Sequence, residues 1–300
     1  MLNHNSKVWI VNYACAIDYY LDKHKQQRGV LTPGGKGINM AIVMALFGIK
    51  PTVLTFLGQP TKDLFLQLLK PYQLDLVSFP ATTQTRINVK LLDGAQTTEI
   101  NDVTPLIEEQ AVHEMIAYLK ANVKPNDLLV LNGRFLQRDL VKLLDVAFSL
   151  TKYVVLDVDE PQLLQLLNQR QPWLMKPNRD EFVAMVNANN SNVDQQELVQ
   201  LIKQFQTTQN LLMSDGAQGA YFFDQQQLLF MEAIPPQQLV STTGAGDTLL
   251  GVFLANLLLD KDPVGSLKVA VNYASATISK LAVVNSNDQI VLKATNYYYL

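Results

Sequence analysis

The apolar positions of this chain fall into short runs separated by segments of helical spacing. Residues 8–11 form an uninterrupted apolar run, the signature of a strand covered on both faces. Residues 52–57, 128–131, 153–156, 173–175 and 211–213 read the same way. Between them, residues 36–47, 62–69, 111–119, 138–148, 180–186 and 194–205 space their apolar side chains as amphipathic helices do. Pro33-Gly34-Gly35 opens the first of these helices and Gly48 is placed to close it. Strand–helix alternation at this spacing predicts βαβ units and a mainly parallel sheet. Residues 219–223 and 228–233, joined by a polar turn, predict a hairpin, and two long helices are expected over 245–258 and 263–281. The Asn-rich stretch 187–196 reads as a surface loop, and Tyr297-Tyr298-Tyr299 as edge packing.

The first third breaks that rhythm. Residues 19–32 mix charges with β-formers. Residues 86–92 alternate strictly, with Ile87, Val89 and Leu91 on one face and Arg86, Asn88 and Lys90 on the other, as a half-covered strand would. Polar-faced strands at about 17–32 and 85–101 predict a small sheet outside the main one, the kind of element a lid over a cleft requires.

Composition narrows the reading. Three hundred residues suit one large α/β domain with an added small element, or two modest domains. A net charge of −3 carries no basic surplus, so no nucleic-acid partner is expected and an anionic ligand must meet a local basic cluster. Cys15 is the only cysteine, which fits a reducing compartment. Residues 1–7 lack the apolar core of a signal peptide, and the longest apolar stretch, 248–259, is too short to span a bilayer. A cytoplasmic protein with no membrane association is expected. His4, His24 and His113 have no metal-ligand spacing.

Five segments carry candidate chemistry. Ser241-Thr242-Thr243-Gly244-Ala245-Gly246-Asp247 runs straight into an apolar helix. Glycines at a helix mouth let backbone N–H groups face an anion, but a carboxylate there would repel a resting phosphate. Asp247 makes sense as a base taking a proton from an attacking hydroxyl, or simply as a capping residue. Gly34-Gly35-Lys36-Gly37-Ile38-Asn39 is a glycine turn with Lys36 and Asn39 one turn apart, without Walker A spacing. In Lys176-Pro177-Asn178-Arg179-Asp180-Glu181, Asn178 and Glu181 could hold Mg²⁺ through water or could form a capping box. Arg86, Asn88 and Lys90 face either an anion or solvent at a sheet edge. Ser214-Asp215-Gly216-Ala217-Gln218-Gly219 is either a nucleotide-contacting loop or a turn between strands.

In this order, together with Thr85-Arg86-Ile87-Asn88-Val89-Lys90 and Phe56-Leu57-Gly58, these segments resemble the ribokinase-like, phosphofructokinase B-type carbohydrate kinases. Within them the chain is similar to the branch of 1-phosphofructokinase and tagatose-6-phosphate kinase. The resemblance covers nearly the whole chain. It implies a Rossmann-like αβα sandwich with a mainly parallel central sheet and a small β-sheet lid, in a single kinase domain over residues 1–300. It implies ATP as donor, Mg²⁺, and a small phosphorylated sugar as acceptor, with a homodimer through the lid sheet. By position, Asp247 is the base and Gly244, Ala245 and Gly246 form the anion hole. Asp18, Gly35, Lys36 and Asn39 meet the sugar, and Arg86 and Lys90 its phosphate, with Lys36 completing the clamp. Lys176, Asn178 and Glu181 serve the nucleotide phosphates and Mg²⁺, while Ser214, Gly216 and Gly219 line the nucleotide. The first reading is phosphorylation of fructose 1-phosphate to fructose 1,6-bisphosphate. Tagatose 6-phosphate, another sugar or a nucleoside is the alternative acceptor, and a non-catalytic sugar-phosphate binder the alternative from another class. Three segments depart from the branch pattern: Asn12-Tyr13-Ala14-Cys15, Asn101-Asp102-Val103-Thr104 and Asn132-Gly133-Arg134-Phe135-Leu136. In the family they border the sugar cleft, so they bear on the acceptor more than on phosphotransfer. Arg134 either adds an anion contact or fills space.

Overall fold

The computed structural model describes residues 5–24, 29–93, 96–186 and 193–300. The first part of the chain forms β1 (Val8–Asn12), β2 (Ala16–Asp22), β3 (Val30–Gly34), α1 (Lys36–Ala45), β4 (Thr52–Leu57), α2 (Lys62–Leu69), β5 (Asp75–Pro80), β6 (Arg86–Asp93) and β7 (Gln96–Ile100). The middle alternates: α3 (Glu109–Asn122), β8 (Leu128–Gly133), α4 (Gln137–Leu150), β9 (Tyr153–Val158), α5 (Leu163–Leu167), β10 (Leu174–Met175), α6 (Arg179–Val186), α7 (Gln195–Gln204) and β11 (Asn210–Ser214). The hairpin β12 (Gly219–Phe223) and β13 (Leu228–Glu232) follows, then α8 (Ala245–Leu258), α9 (Pro263–Thr277) and β14 (Tyr297–Tyr299).

The large sheet has ten strands in the order β14-β13-β12-β11-β10-β9-β8-β1-β4-β5. Pairs from β5 across to β11 are parallel, and the last three strands are antiparallel. The chain runs outward from β1 through β4 to β5, then returns to β8 on the other side of β1 and runs the opposite way. A crevice opens beyond the carboxyl ends of the strands at such a reversal. Asn12 and Gly133, which end β1 and β8, stand there.

Alternate residues of the same strands feed two cores. Ile10, Val53, Val130 and Val155 pack with α1, α2, α8 and α9. Val11, Leu54, Leu131 and Leu156 pack with α3, α4, α6 and α7. Each buried aliphatic side chain stabilises the fold by roughly 1.5–3 kcal/mol. The result is the αβα sandwich expected from the sequence. Asp194 and Asp262 cap α7 and α9 by accepting from Glu197 N and Gly265 N, both at 2.9 Å. Among the described residues no helix is long and apolar enough to cross a membrane.

Several elements differ from the sequence expectation. β5 is an edge strand that the alternation of Leu76, Ser78 and Pro80 with Val77 and Phe79 disguises, and its Pro80 is tolerated because the strand has one neighbour. α5 is too short for periodicity to reveal. α9 stops at Thr277 instead of 281, because the Ile278 carbonyl accepts from Val240 N and Ser241 N and so leaves the helical ladder. That exchange ties the chain leading into the glycine turn to the end of α9. Of the loop expected at 187–196, residues 187–192 lie outside the described residues and Gln195 already belongs to α7. Tyr297-Tyr298-Tyr299 forms the edge strand β14 against β13.

The second sheet has the order β3-β2-β6-β7, with β2 and β6 parallel. Residues 25–28 and 94–95 of its expected span lie outside the described residues. β6 is an interior strand, so the solvated-edge reading of Arg86, Asn88 and Lys90 does not hold. Its amphipathic sense is also inverted: Asn88 and Lys90 are buried, while Ile87, Val89 and Leu91 are half-buried.

Candidate active site

A cavity of about 1020 Å³ lies between the two sheets, and every candidate site residue named from the sequence lines it. Its floor is the turn into α8. Gly244 takes φ 81, a left-handed conformation that side chains resist, and a Cβ there would sit 2.6 Å from Val283 Cγ1. No side chain caps α8, which leaves its first-turn N–H groups to an anion in the cavity. Asp247, on that first turn, is 8% exposed, and its Oδ2 accepts from Asn39 Nδ2 at 2.8 Å. Burial, then the charge of Asp157, pushes its carboxyl up. Lys36, the Asn39 hydrogen bond and Lys176 pull it back, and it settles at about 6. A carboxylate so poised accepts a proton from a hydroxyl near neutral pH.

Asp157 was not singled out from the sequence. It stands near the carboxyl end of β9, fully buried, 3.2 Å from Lys36 Nζ and 3.4 Å from Lys176 Nζ, and it accepts from Asn132 Nδ2 at 3.2 Å. Burial raises its carboxyl, but the two ammonium groups outweigh that and hold it below the usual range. Lys36 moves the other way. Burial disfavours its charge, yet Asp157, Asp247 and Glu181 together hold its ammonium above the ordinary lysine value. The signal for Asp157 was present: an acidic residue ending the apolar run Val154-Val155-Leu156 points out of a parallel sheet where ligands bind. The arrangement places Lys36 beside Lys176 on a shared Asp157.

On the far side, Asn178 and Glu181 form a reciprocal capping box at α6: Asn178 N donates to Glu181 Oε2 and Glu181 N to Asn178 Oδ1, both at 2.8 Å. Both side chains still line the cavity. Their hard oxygens suit Mg²⁺ held through water, since one carboxylate and one amide are too few for direct coordination. Ser214, Gly216 and Gly219 lie in and beside the turn joining β11 to β12, so that segment is both a strand turn and a cavity wall. Lys176 Nζ would lie 3.3 Å from a Cβ added at Gly246, which puts this cation against the glycine turn.

The small sheet supplies the roof. Asp18 and Asn88 are register partners, and Asn88 Nδ2 donates to Asp18 Oδ1 at 2.9 Å. Burial raises the Asp18 carboxyl, partly offset by Lys90, the Asn88 hydrogen bond and Arg86. Gly34 is required beside it, because a Cβ there would fall 2.2 Å from Asp18 Oδ2. Arg86 Nη2 donates to Ala14 O at 3.1 Å, while its buried Nε has no partner among the described residues. Lys90, 3% exposed, pairs with Glu99 at 2.7 Å and donates to Asn101 Oδ1 at 3.3 Å.

Two of the three departing segments, 12–15 and 132–136, pack on each other. The Tyr13 ring lies 5.2 Å from Phe56 and 4.9 Å from Phe135, and its hydroxyl donates to Asp139 Oδ2 at 2.6 Å. Tyr13 and Phe135 are buried together in the core, while Ala14, Gly133 and Arg134 line the cavity. Arg134 is largely exposed and faces Asp159 at 3.4 Å.

An αβα sandwich with a β roof, a glycine turn at a helix mouth and a buried carboxylate beside two lysines defines a phosphotransferase of the sugar-kinase class. The chain belongs to the pfkB family of carbohydrate kinases, whose model matches residues 2–290. A Mycoplasma genitalium protein described as "Putative 1-phosphofructokinase" is 59% identical over 98% of this chain and 97% of its own. The 1-phosphofructokinase of Vibrio cholerae is 28% identical over 84% of this chain and 81% of its own. The crystal structure of phosphofructokinase-2 from Escherichia coli in complex with substrates and products superposes with a TM-score of 0.80 at 19% identity, covering 91% of this chain and 93% of that one, and so shares the fold.

Proposed function

We propose that this protein is an ATP-dependent 1-phosphofructokinase that converts fructose 1-phosphate to fructose 1,6-bisphosphate. The observation that carries the reading is one cavity holding Asp247 and the α8 turn at its floor and the half-buried Arg86 and buried Lys90 in its roof. The relative at 59% identity supports the choice of acceptor.

The residues divide the work. Arg86 and Lys90 hold the phosphate of the acceptor, with the unpartnered Arg86 Nε available to it. Asp18, Gly35 and Asn39 orient the sugar so that its free hydroxyl reaches Asp247. As the hydroxyl oxygen bonds to the γ-phosphorus of ATP, the bond to the ADP oxygen breaks and Asp247 takes the hydroxyl proton. The N–H groups of the turn from Gly244 to Gly246, together with Lys36 and Lys176, stabilise the charge on the transferring group. Lys36 acts here with the donor phosphates, since its ammonium shares Asp157 with Lys176. Asn178 and Glu181 would hold Mg²⁺ through water, where it supplies charge neutralisation to those phosphates. The roof excludes water as a competing acceptor.

We read the chain as one kinase domain with the small sheet as its lid. Exposed apolar side chains on both lid edges, Val30 and Leu31 on β3 and Ile100 on β7, support a homodimer through that sheet. A cytoplasmic location, where ATP and phosphosugars meet, fits this reading. The test is coupled ATP turnover with Mg²⁺ against fructose 1-phosphate, tagatose 6-phosphate, fructose 6-phosphate, fructose, ribose and adenosine. Preference for fructose 1-phosphate is expected. Preference for an unphosphorylated acceptor would discard the roles of Arg86 and Lys90, and silence across the panel would discard the activity.

A further inference from the structure

The roof of the cavity contains a carboxylate that the phosphotransfer scheme does not use. Glu99 lies on β7, directly opposite Lys90 in the register of the small sheet. One of its oxygens, Oε2, pairs with Lys90 Nζ at 2.7 Å. The other, Oε1, accepts from Thr243 Oγ1 at 2.5 Å. Thr243 is the residue before Gly244, so a single side chain joins the lid cation to the mouth of the anion-binding turn. Burial pushes the Glu99 carboxyl up, but the hydrogen bonds from Lys90 and Thr243 and the Lys90 charge outweigh this and hold it below the usual range.

A buried ammonium needs a counter-charge. Lys90 is 3% exposed, and Glu99 supplies that charge. A phosphate seated on Lys90 brings its own negative charge to the same place, and two anions on one buried cation repel. Glu99 is the one free to leave: its side chain is 37% exposed and its strand is a sheet edge. The buried Arg86 Nε, unpartnered, shows that the roof keeps a donor in reserve for an incoming group.

We propose that Glu99 is an internal counter-ion occupying the acceptor-phosphate subsite, and that a phosphosugar displaces it from Lys90 and so releases Thr243 at the glycine turn. This rests on the reading that Arg86 and Lys90 form that subsite. Displacement makes an anionic acceptor the signal that changes the donor site, because Thr243 loses its acceptor only when Glu99 moves. An acceptor without an anion has nothing to displace the carboxylate.

Calorimetric titration of the purified chain tests both halves, with inorganic phosphate and fructose 1-phosphate as probes. Glu99→Gln keeps an acceptor for Thr243 but removes the competing charge, so both probes should bind about tenfold tighter. Unchanged or weaker binding would overturn the counter-ion role. Thr243→Val leaves the Lys90–Glu99 pair in place but breaks the link to the turn. In the wild-type chain, fructose 1-phosphate should shift the Kd of a non-hydrolysable ATP analogue by about fivefold or more. In Thr243→Val that factor should fall toward one, and its persistence would overturn the link. Lys90→Met separates the two levels of the argument. Lost probe affinity in Lys90→Met with no gain in Glu99→Gln would reject the counter-ion alone. Unchanged affinity in Lys90→Met would reject the phosphate subsite, and the counter-ion with it.

Discussion

The two sheets handle polar groups in opposite ways. In the large sheet, strands β1, β8 and β9 are apolar along most of their length, and their polar residues, Asn12, Asn132 and Asp157, come at or near the carboxyl ends. In the small sheet polar residues are buried in mid-strand as well: Asp18 on β2, and Asn88 and Lys90 on β6. A sheet that must carry a core on both faces can afford charge only where it stops. A sheet that roofs a cleft turns its charged face inward, because the ligand replaces the core. One sheet holds the chain together and brings polar groups to its rim, whereas the other lines the cavity with polar side chains along its strands.

That difference makes the two regions separable by mutation. The largest expected effect is at the floor. Asp247→Asn should lower kcat by more than about a hundredfold, as loss of a general base does, while leaving the KM for both substrates nearly unchanged. In the wild-type enzyme the base is lost on protonation, so kcat should fall as pH drops through about 6. A near-wild-type rate for Asp247→Asn in a steady-state assay would remove its role.

Asp157→Asn comes next, and its effect is on stability. It leaves Lys36 and Lys176 beside each other without their shared carboxylate, and breaking such a buried pair costs about 3–5 kcal/mol. Chemical denaturation should show the loss. Asp159→Asn, two residues on at an exposed ion pair, should cost less than about 1 kcal/mol. Equal losses at the two positions would contradict the view that the rim of the large sheet carries both structure and chemistry.

Arg86→Ala tests the roof. The KM for the phosphosugar should rise about tenfold or more while that for ATP stays within about twofold, since one charge-assisted contact contributes roughly 1.5–3 kcal/mol. Parallel changes in both KM values would show that the roof does not hold the acceptor separately from the donor.

The same contrast explains what the sequence revealed. The large sheet was legible because strands buried on both faces are continuous apolar runs, and the helices between them keep their period. The glycine turn before Asp247 was legible because residues 243–247 admit few other backbones. The small sheet was only half legible. Alternation along residues 86–92 identified a strand with two unlike faces, but hydropathy alone assigns the apolar face to the interior. Here the polar face is buried, and only the three-dimensional cleft explains why. Asp157 went unread for a related reason: its one local cue is its place at the end of an apolar run, and it gains its meaning from Lys36, 121 residues before it, and Lys176, 19 residues after it at the next strand's end. Asn178 and Glu181 show the reverse case. A capping box and water-mediated Mg²⁺ binding were set against each other as alternatives, yet in the structure the same two side chains form the capping box and also line the cavity.

The smallest expected effect sharpens the floor itself. Asn39 Nδ2 donates to Asp247 Oδ2, and that bond favours the charged carboxylate. In Asn39→Ala the bond is gone, so the Asp247 carboxyl should rise further and the base should protonate at a higher pH. The acid limb of the kcat profile should therefore move upward from about 6. The deficit should be severalfold near that pH and fade toward pH 8, where the carboxylate is ionised in both enzymes. A deficit of equal size at every pH would mean that Asn39 works by orienting the sugar alone. Movement of the limb with little change in the alkaline plateau would show that it sets the charge of the base, and that α1 reaches the chemistry through α8.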